Sequence, residues 1–229
     1  MSLTKRNPRP LARDKTSLRD DRLFIVACDD TYAPKQYFDF FSITRVKVHV
    51  VATEDGKSVA QHVLEKLLSY ETEEDDERWM LLDTDHCTQG NHLPSFIRAI
   101  TDAKQRGVKV ALSKPCFEFW LLLHHIEDSH VEVLPNADHV ERKLRMTLGE
   151  YNKTSLKLEH YPLASVADAC QRAERLDGAV TGGDIPISNT SRVYLLWKAI
   201  AAKALPSQLP PELRSLLPQA VSVDADDVG

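Results

Sequence analysis

Short apolar runs alternate with amphipathic stretches over the first half of the chain. Arg22–Cys28 is a continuous apolar run ending in Asp29 and Asp30, the pattern of a strand covered on both faces. Val46–Ala52 is rich in β-branched residues and predicts a second strand. Residues 79–82 form a third apolar run that leads directly into Asp83, and residues 108–112 form a fourth, broken by Ser113, Lys114 and Pro115. Helical spacing fills the gaps. Residues 34–41 open on Pro34, which a first helical turn tolerates. Residues 58–70 place Val59, Val63, Leu64, Leu67 and Leu68 on one face. Leu93–Gln105 is amphipathic, with Gly107 as a C-terminal stop. Residues 116–125 are apolar and aromatic nearly throughout, which predicts a helix buried on most sides.

Strands alternating with helices predict parallel βαβ units with right-handed crossovers. The expected fold is α/β: a four-stranded parallel sheet flanked by helices, with a helical C-terminal extension. That extension is read from helical spacing over 137–148, 163–176 and 191–204. The domain reading is a flexible basic arm over 1–20, an α/β domain over 21–130, and a helical subdomain over 131–205 packed on it. A Pro-rich and acidic tail, 206–229, is expected to be disordered.

Composition narrows the classes. The 229 residues are 42% hydrophobic and 28% charged, an ordinary globular balance. No apolar run approaches the roughly 18 residues of a membrane span. The basic opening, Lys5 to Lys15, lacks the apolar core of a secretory signal. Four irregularly spaced cysteines do not form a disulfide framework, so a reducing cytoplasm is expected. A net charge of -5 speaks against a protein that coats nucleic acid, while leaving room for one that acts on it locally. The arm bearing Lys5, Arg6, Arg9, Arg13 and Lys15 reads either as a solvated tail or as a phosphate-contacting segment.

Two predicted strands end in acid: the first in Asp29 and Asp30, the third in Asp83 and, two residues on, Asp85. Parallel sheets place ligand sites beyond the carboxyl ends of their strands, where strand order switches. Residues two apart on an extended chain point to the same side, so Asp83 and Asp85 share a target. Asp29 joins them if the two strands are neighbours. Clustered carboxylates repel and raise one another's pKa unless a cation neutralises them. Mg²⁺ (or Mn²⁺) answers that need with one or two carboxylates plus water or phosphate oxygens. His86, Cys87 and His92 match no common zinc spacing. Neither a Walker loop nor a nucleophile elbow is present.

With these residues identified, the chain resembles the RloB-like family, whose fold belongs to the Toprim group. Three segments carry the resemblance: Ile25 to Asp29 with Tyr37 and Phe38, Leu81 to His86, and most specifically Val110 to His124. Weaker echoes lie in Tyr151-Asn152-Lys153 and in residues 189–196. The resemblance implies a Toprim-type metal site in which Asp83 and Asp85 bind Mg²⁺ and a first-strand acid handles protons or completes the site. It also implies cleavage of nucleic acid, and a place in bacterial anti-phage loci beside a separate ATPase. One departure stands out. The family's opening pair is Glu-Gly, and here it is Asp29-Asp30. Asp is one methylene shorter, and a shift of about 1 Å is enough to change a rate about a hundredfold. Either Asp29 or Asp30 occupies the role.

Glu118 matches an acidic position of the third segment, as a further metal ligand, as a polar partner that orients one, or as a buried acid at a helix start. Lys114 and Lys153 are candidate phosphate contacts or surface lysines. Phe117 and Trp120 are packing residues, and His124 and His125 satisfied or capping histidines. The leading expectation is a metal-dependent nuclease acting on DNA or RNA, tRNA included, as an effector of anti-phage defence. Its catalytic residues would be Asp29, Asp83, Asp85 and Glu118, its metal ligands Asp29, Asp83 and Asp85, and its substrate contacts Lys114 and Lys153. The rivals are a non-catalytic sensor or partner module for an ATPase or other effector, and a small-molecule phosphohydrolase. No membrane partner is expected, and nothing specifies an interface for a homo-oligomer.

Overall fold

The computed structural model describes residues 21–53, 59–85, 87, 90–131, 133–178 and 184–218. The basic arm at 1–20 and the acidic end of the chain lie outside them. Strands β1 (Arg22–Cys28), β2 (Val46–Ala52), β3 (Glu77–Asp83) and β4 (Lys109–Lys114) pair in parallel in the order β2-β1-β3-β4. All four expected parallel strands are therefore present. The expectation of a purely four-stranded parallel sheet is corrected: β5 (Thr190–Ser191) adds antiparallel to β4 and makes the sheet mixed. Two residues carry no readable alternation, and the pairing depends on a return of the chain across about 75 positions. β4 likewise continues to Lys114, because Ser113 and Lys114 are the residues that β5 pairs.

The sheet separates two cores by simple alternation. Ile25 and Ala27 of β1 and Met80 and Leu82 of β3 face α2 (Ala60–Leu68) and α3 (Leu93–Gln105), whose Val63, Leu64, Leu67, Phe96 and Ile100 cover them. Phe24, Val26, Cys28, Trp79 and Leu81 face the other way. There they meet α1 (Ala33–Asp39), α4 (Phe117–Leu122), α5 (Ala137–Leu148), α6 (Leu163–Gly178) and α7 (Val193–Lys203). One continuous apolar cluster joins the sheet to the C-terminal helices on this side.

α4 is shorter than the apolar run predicted, and every one of its residues is buried. His124 and His125 follow its end. Gly107 and Gly149 take positive φ (72° and 78°) after α3 and α5, the left-handed conformation that glycine adopts without a Cβ clash. The chain after 205 corrects a second expectation. The 3-10 turn Pro211–Leu216 packs on α6 and α7, burying Leu209, Leu213 and Leu216, so the compact part continues through residues first read as a tail. Leucines spaced through a Pro-rich stretch satisfy a core without regular helical periodicity.

At the centre of the larger core stands Tyr37. Its ring meets Phe38, Phe41, Phe117, Trp120, His124, Tyr161 and Trp197 within 5.1–6.3 Å between centroids, mostly edge to face. The Tyr37 hydroxyl lies 3.1 Å from His124 Nε2, and His124 Nδ1 lies 2.7 Å from Ser165 Oγ. Ser165 Oγ donates to the Pro162 carbonyl. That chain assigns the Nδ1–H tautomer to His124, with Tyr37 donating to Nε2. Burial, then His125 and Arg172, hold the His124 pKa well below its ordinary value. His124 is thus a satisfied core histidine, and Phe117 and Trp120 are packing residues.

Candidate active site at the ends of β1 and β3

The chain leaves β1 toward β2 on one side, and β3 continues to β4 on the other. β1 and β3 are therefore neighbours whose connections diverge, the arrangement that opens a crevice beyond their carboxyl ends. Both ends are acidic. Asp29 follows β1 and Asp83 closes β3. The Asp83 amide donates to Asp29 Oδ2 at 2.9 Å, and the Asp29 amide reaches the Leu81 carbonyl at 3.4 Å. Thr53 Oγ1, just past β2, donates to the Asp29 carbonyl. Asp29 is fixed at the junction of three strand ends.

β3 ends at Asp83, so Asp85 shares the site by way of a turn and not by strand alternation. That turn is pinned: the Thr84 amide donates to the Ser113 and Pro115 carbonyls, and the Asp85 amide to Pro115. The same connection delivers Glu118, fully buried in the first turn of α4. Glu118 Oε1 accepts from the Tyr151 hydroxyl at 3.0 Å and sits 3.2 Å from Lys153 Nζ. Lys153 Nζ also lies 2.8 Å from Asp30 Oδ2.

Asp29 and Asp30 now separate. Asp30 Oδ1 accepts from the Tyr32 and Ala33 amides at the start of α1, and its other oxygen faces Lys153. Asp30 is engaged in holding the turn, and Asp29 is the acid against Asp83. Lys153 is placed in the acid cluster. Lys114 is turned elsewhere: its Nζ donates to the Pro186 and Ile187 carbonyls, bracing the approach to β5.

Burial and crowding shift the acids of the site. Burial pushes the Asp29 carboxyl up to about 7; the hydrogen bond from Asp83 opposes this and the charges of Asp30 and Asp85 add to it. Burial also raises Asp83 well above the carboxylate range, followed by Asp29, Glu118, Asp30 and Asp85. Burial works against the Lys153 ammonium, but Glu118 and Asp30 outweigh it and raise its pKa. Lys153 thus sits between Glu118 and Asp30, while Asp29 and Asp83 crowd each other at the strand ends.

The residues fit a hard divalent cation. Glu118 Oε2 is buried without a hydrogen-bond partner, and every acid in the cluster offers oxygen. Among the described residues no group of three or more His, Cys, Asp or Glu is already gathered for an ion. Mg²⁺ does not require one, because it keeps several waters and binds proteins through one or two carboxylates. Burial, then Asp29, Asp83 and Asp85, push the Cys87 thiol up to about 12, so it is protonated at neutral pH and a poor ligand. His86 lies outside the described residues.

The family described as RloB-like protein matches residues 24–200. The chain belongs to the RloB-like family. The match takes in Asp29, Asp83, Asp85, Glu118 and Lys153. No curated protein and no solved structure gives a significant match. Among the described residues of this RloB-like chain, no helix is long and apolar enough to cross a membrane. Tyr151 is the residue of the site whose role was not read from the sequence. Its signal there is its place at the start of the family-like segment Tyr151-Asn152-Lys153.

Proposed function

We propose that this RloB-like chain is a Toprim-type, Mg²⁺- or Mn²⁺-dependent nuclease that hydrolyses phosphodiesters of DNA or RNA, tRNA included, as an effector of bacterial anti-phage defence. The observation that carries the reading is the meeting of Asp29 and Asp83 at the ends of β1 and β3, joined at 2.9 Å, with Glu118, Asp30 and Asp85 close enough to raise the Asp83 pKa further. Asp83 and Asp85 would hold the metal, with Glu118 Oε2 as a buried acceptor beside them. When bound, the ion would polarise the phosphate and offset charge on the leaving oxygen. Asp29, with its proton affinity lifted toward neutrality, suits exchange of a proton with the attacking water or the leaving group. Lys153 supplies a point charge on the side of Glu118 and Asp30, where a phosphate oxygen would be attracted.

The test is incubation of the full chain with mixed DNA and RNA and Mn²⁺ or Mg²⁺, beside Asp83→Asn. Metal-dependent cleavage that falls about a hundredfold or more in the variant supports the reading. Equal cleavage by both proteins sinks it.

A second reading, a non-catalytic sensor or partner module for a separate ATPase or other effector, draws on a different observation. Lys153 already pairs with Glu118 and Asp30, and no three-ligand group is gathered among the described residues. Failure to bind Mg²⁺ or Mn²⁺ at millimolar concentration would favour it.

A further inference from the structure

Between α5 and α6 the chain forms a cavity of about 270 Å³ that the acid cluster does not account for. Its walls include Tyr151, Asn152, Ser155, Lys157, His160 and Tyr161. Tyr161 is 1% exposed, so the half-buried Tyr151 and His160 supply the accessible aromatic surface. Tyr151 belongs to both places. Its ring lines the cavity while its hydroxyl donates to Glu118.

We propose that this cavity is a nucleobase subsite, holding the base next to the phosphodiester presented to the acid cluster; the proposal rests on the nuclease reading above. Three observations select a base over a sugar or a phosphate. The walls are aromatic, and every base has a π-face to stack on such side chains. Lys157 at the rim is already paired with Glu150, which leaves little positive charge for an anion. The volume falls below the roughly 300–1,000 Å³ of pockets for drug-sized ligands, so it suits one ring system better than a whole nucleotide. The tyrosine that separates the cavity from Glu118 sets the spacing. A base in the cavity would leave its phosphate on the acid side of Tyr151. Asn152 Oδ1 accepts from the Thr154 amide and hydroxyl, which fixes the wall's polar edge.

The test uses the full chain in EDTA, so that binding is read without cleavage. Each of the four nucleoside 5′-monophosphates and ribose 5-phosphate is titrated and followed by NMR. At least one nucleotide is expected to bind, with ribose 5-phosphate about tenfold or more weaker, the worth of one stacked base. Ser155→Trp, which crowds an exposed part of the wall, should weaken the nucleotide about tenfold without changing Tm. The subsite is overturned if ribose 5-phosphate binds as well as the nucleotides, or if Ser155→Trp binds them as the parent does. The two proposals fail separately. Equal cleavage of abasic and ordinary oligonucleotides would remove the subsite and keep the nuclease. Nucleotide binding without Asp83-dependent cleavage would remove the nuclease and keep the subsite.

Discussion

The Asp83 amide donates to the Asp29 carboxylate across 2.9 Å, tying the end of β3 to the residue that follows β1. This bond holds two acids side by side that would otherwise separate. It also partly offsets the cost of burying Asp29, since a backbone N–H favours the ionised form. The crowding at the site is thus built into the ends of the two strands.

Removing one charge from this pair should relieve repulsion. Asp83→Asn keeps its backbone amide and hence the bond to Asp29. In EDTA at pH 8 its Tm is expected to equal or exceed that of the parent, by about 2–4 °C for each kcal/mol relieved. Its Mg²⁺ affinity should fall at least tenfold. Calorimetric scans and metal titration check both, and a large loss of Tm would show that Asp83 is a structural acid.

The Asp29 proton gives a pH dependence of known sign. Between its ordinary 3.8 and about 7 the folded chain keeps a proton that the unfolded chain has lost. Stability from this group is therefore present at low pH and is lost as pH rises through that window. Buried His124 acts oppositely but is common to both proteins, so the difference between parent and Asp29→Asn reports the Asp29–Asp83 site. Metal-free Tm of the parent relative to the variant should decline from pH 5 to pH 8, and millimolar Mg²⁺ should reverse the decline. A constant difference would contradict the assignment.

Lys153 compensates a fully buried Glu118. Lys153→Met removes the ammonium beside that acid and should destabilise the fold by about 3 kcal/mol, the lower range for a broken buried pair because Lys153 is partly exposed. Adding Glu118→Gln should recover much of the loss. Denaturant unfolding of both single variants and the double variant measures the coupling. Additive losses would mean that the pair does not interact.

The turn after residue 205 belongs to the core. Leu213→Ala should cost about 2–5 kcal/mol, as for other buried leucines. A change within 0.5 kcal/mol, the ordinary range for surface positions, would place this segment outside the cooperative unit.

By itself, the sequence determined the four parallel strands and most of the helices, because apolar periodicity records which faces are covered. β1, β2, α3 and α5 lie where their patterns put them. It also identified Asp29, Asp83, Asp85, Glu118 and Lys153 as candidates, since acids at the ends of apolar runs and the family-like segment around Glu118 are local signals. The tertiary structure decided what locality does not encode. Asp29 rather than Asp30 faces Asp83 because β1 and β3 are neighbours and Asp30 caps the turn into α1. Lys153 enters the cluster, and Lys114 leaves it, through chain crossings of more than 30 residues. β5 and the packed turn after 205 have too few residues to carry a period of their own. Their places are set by the surfaces they cover, and those surfaces exist only once the sheet and helices have assembled.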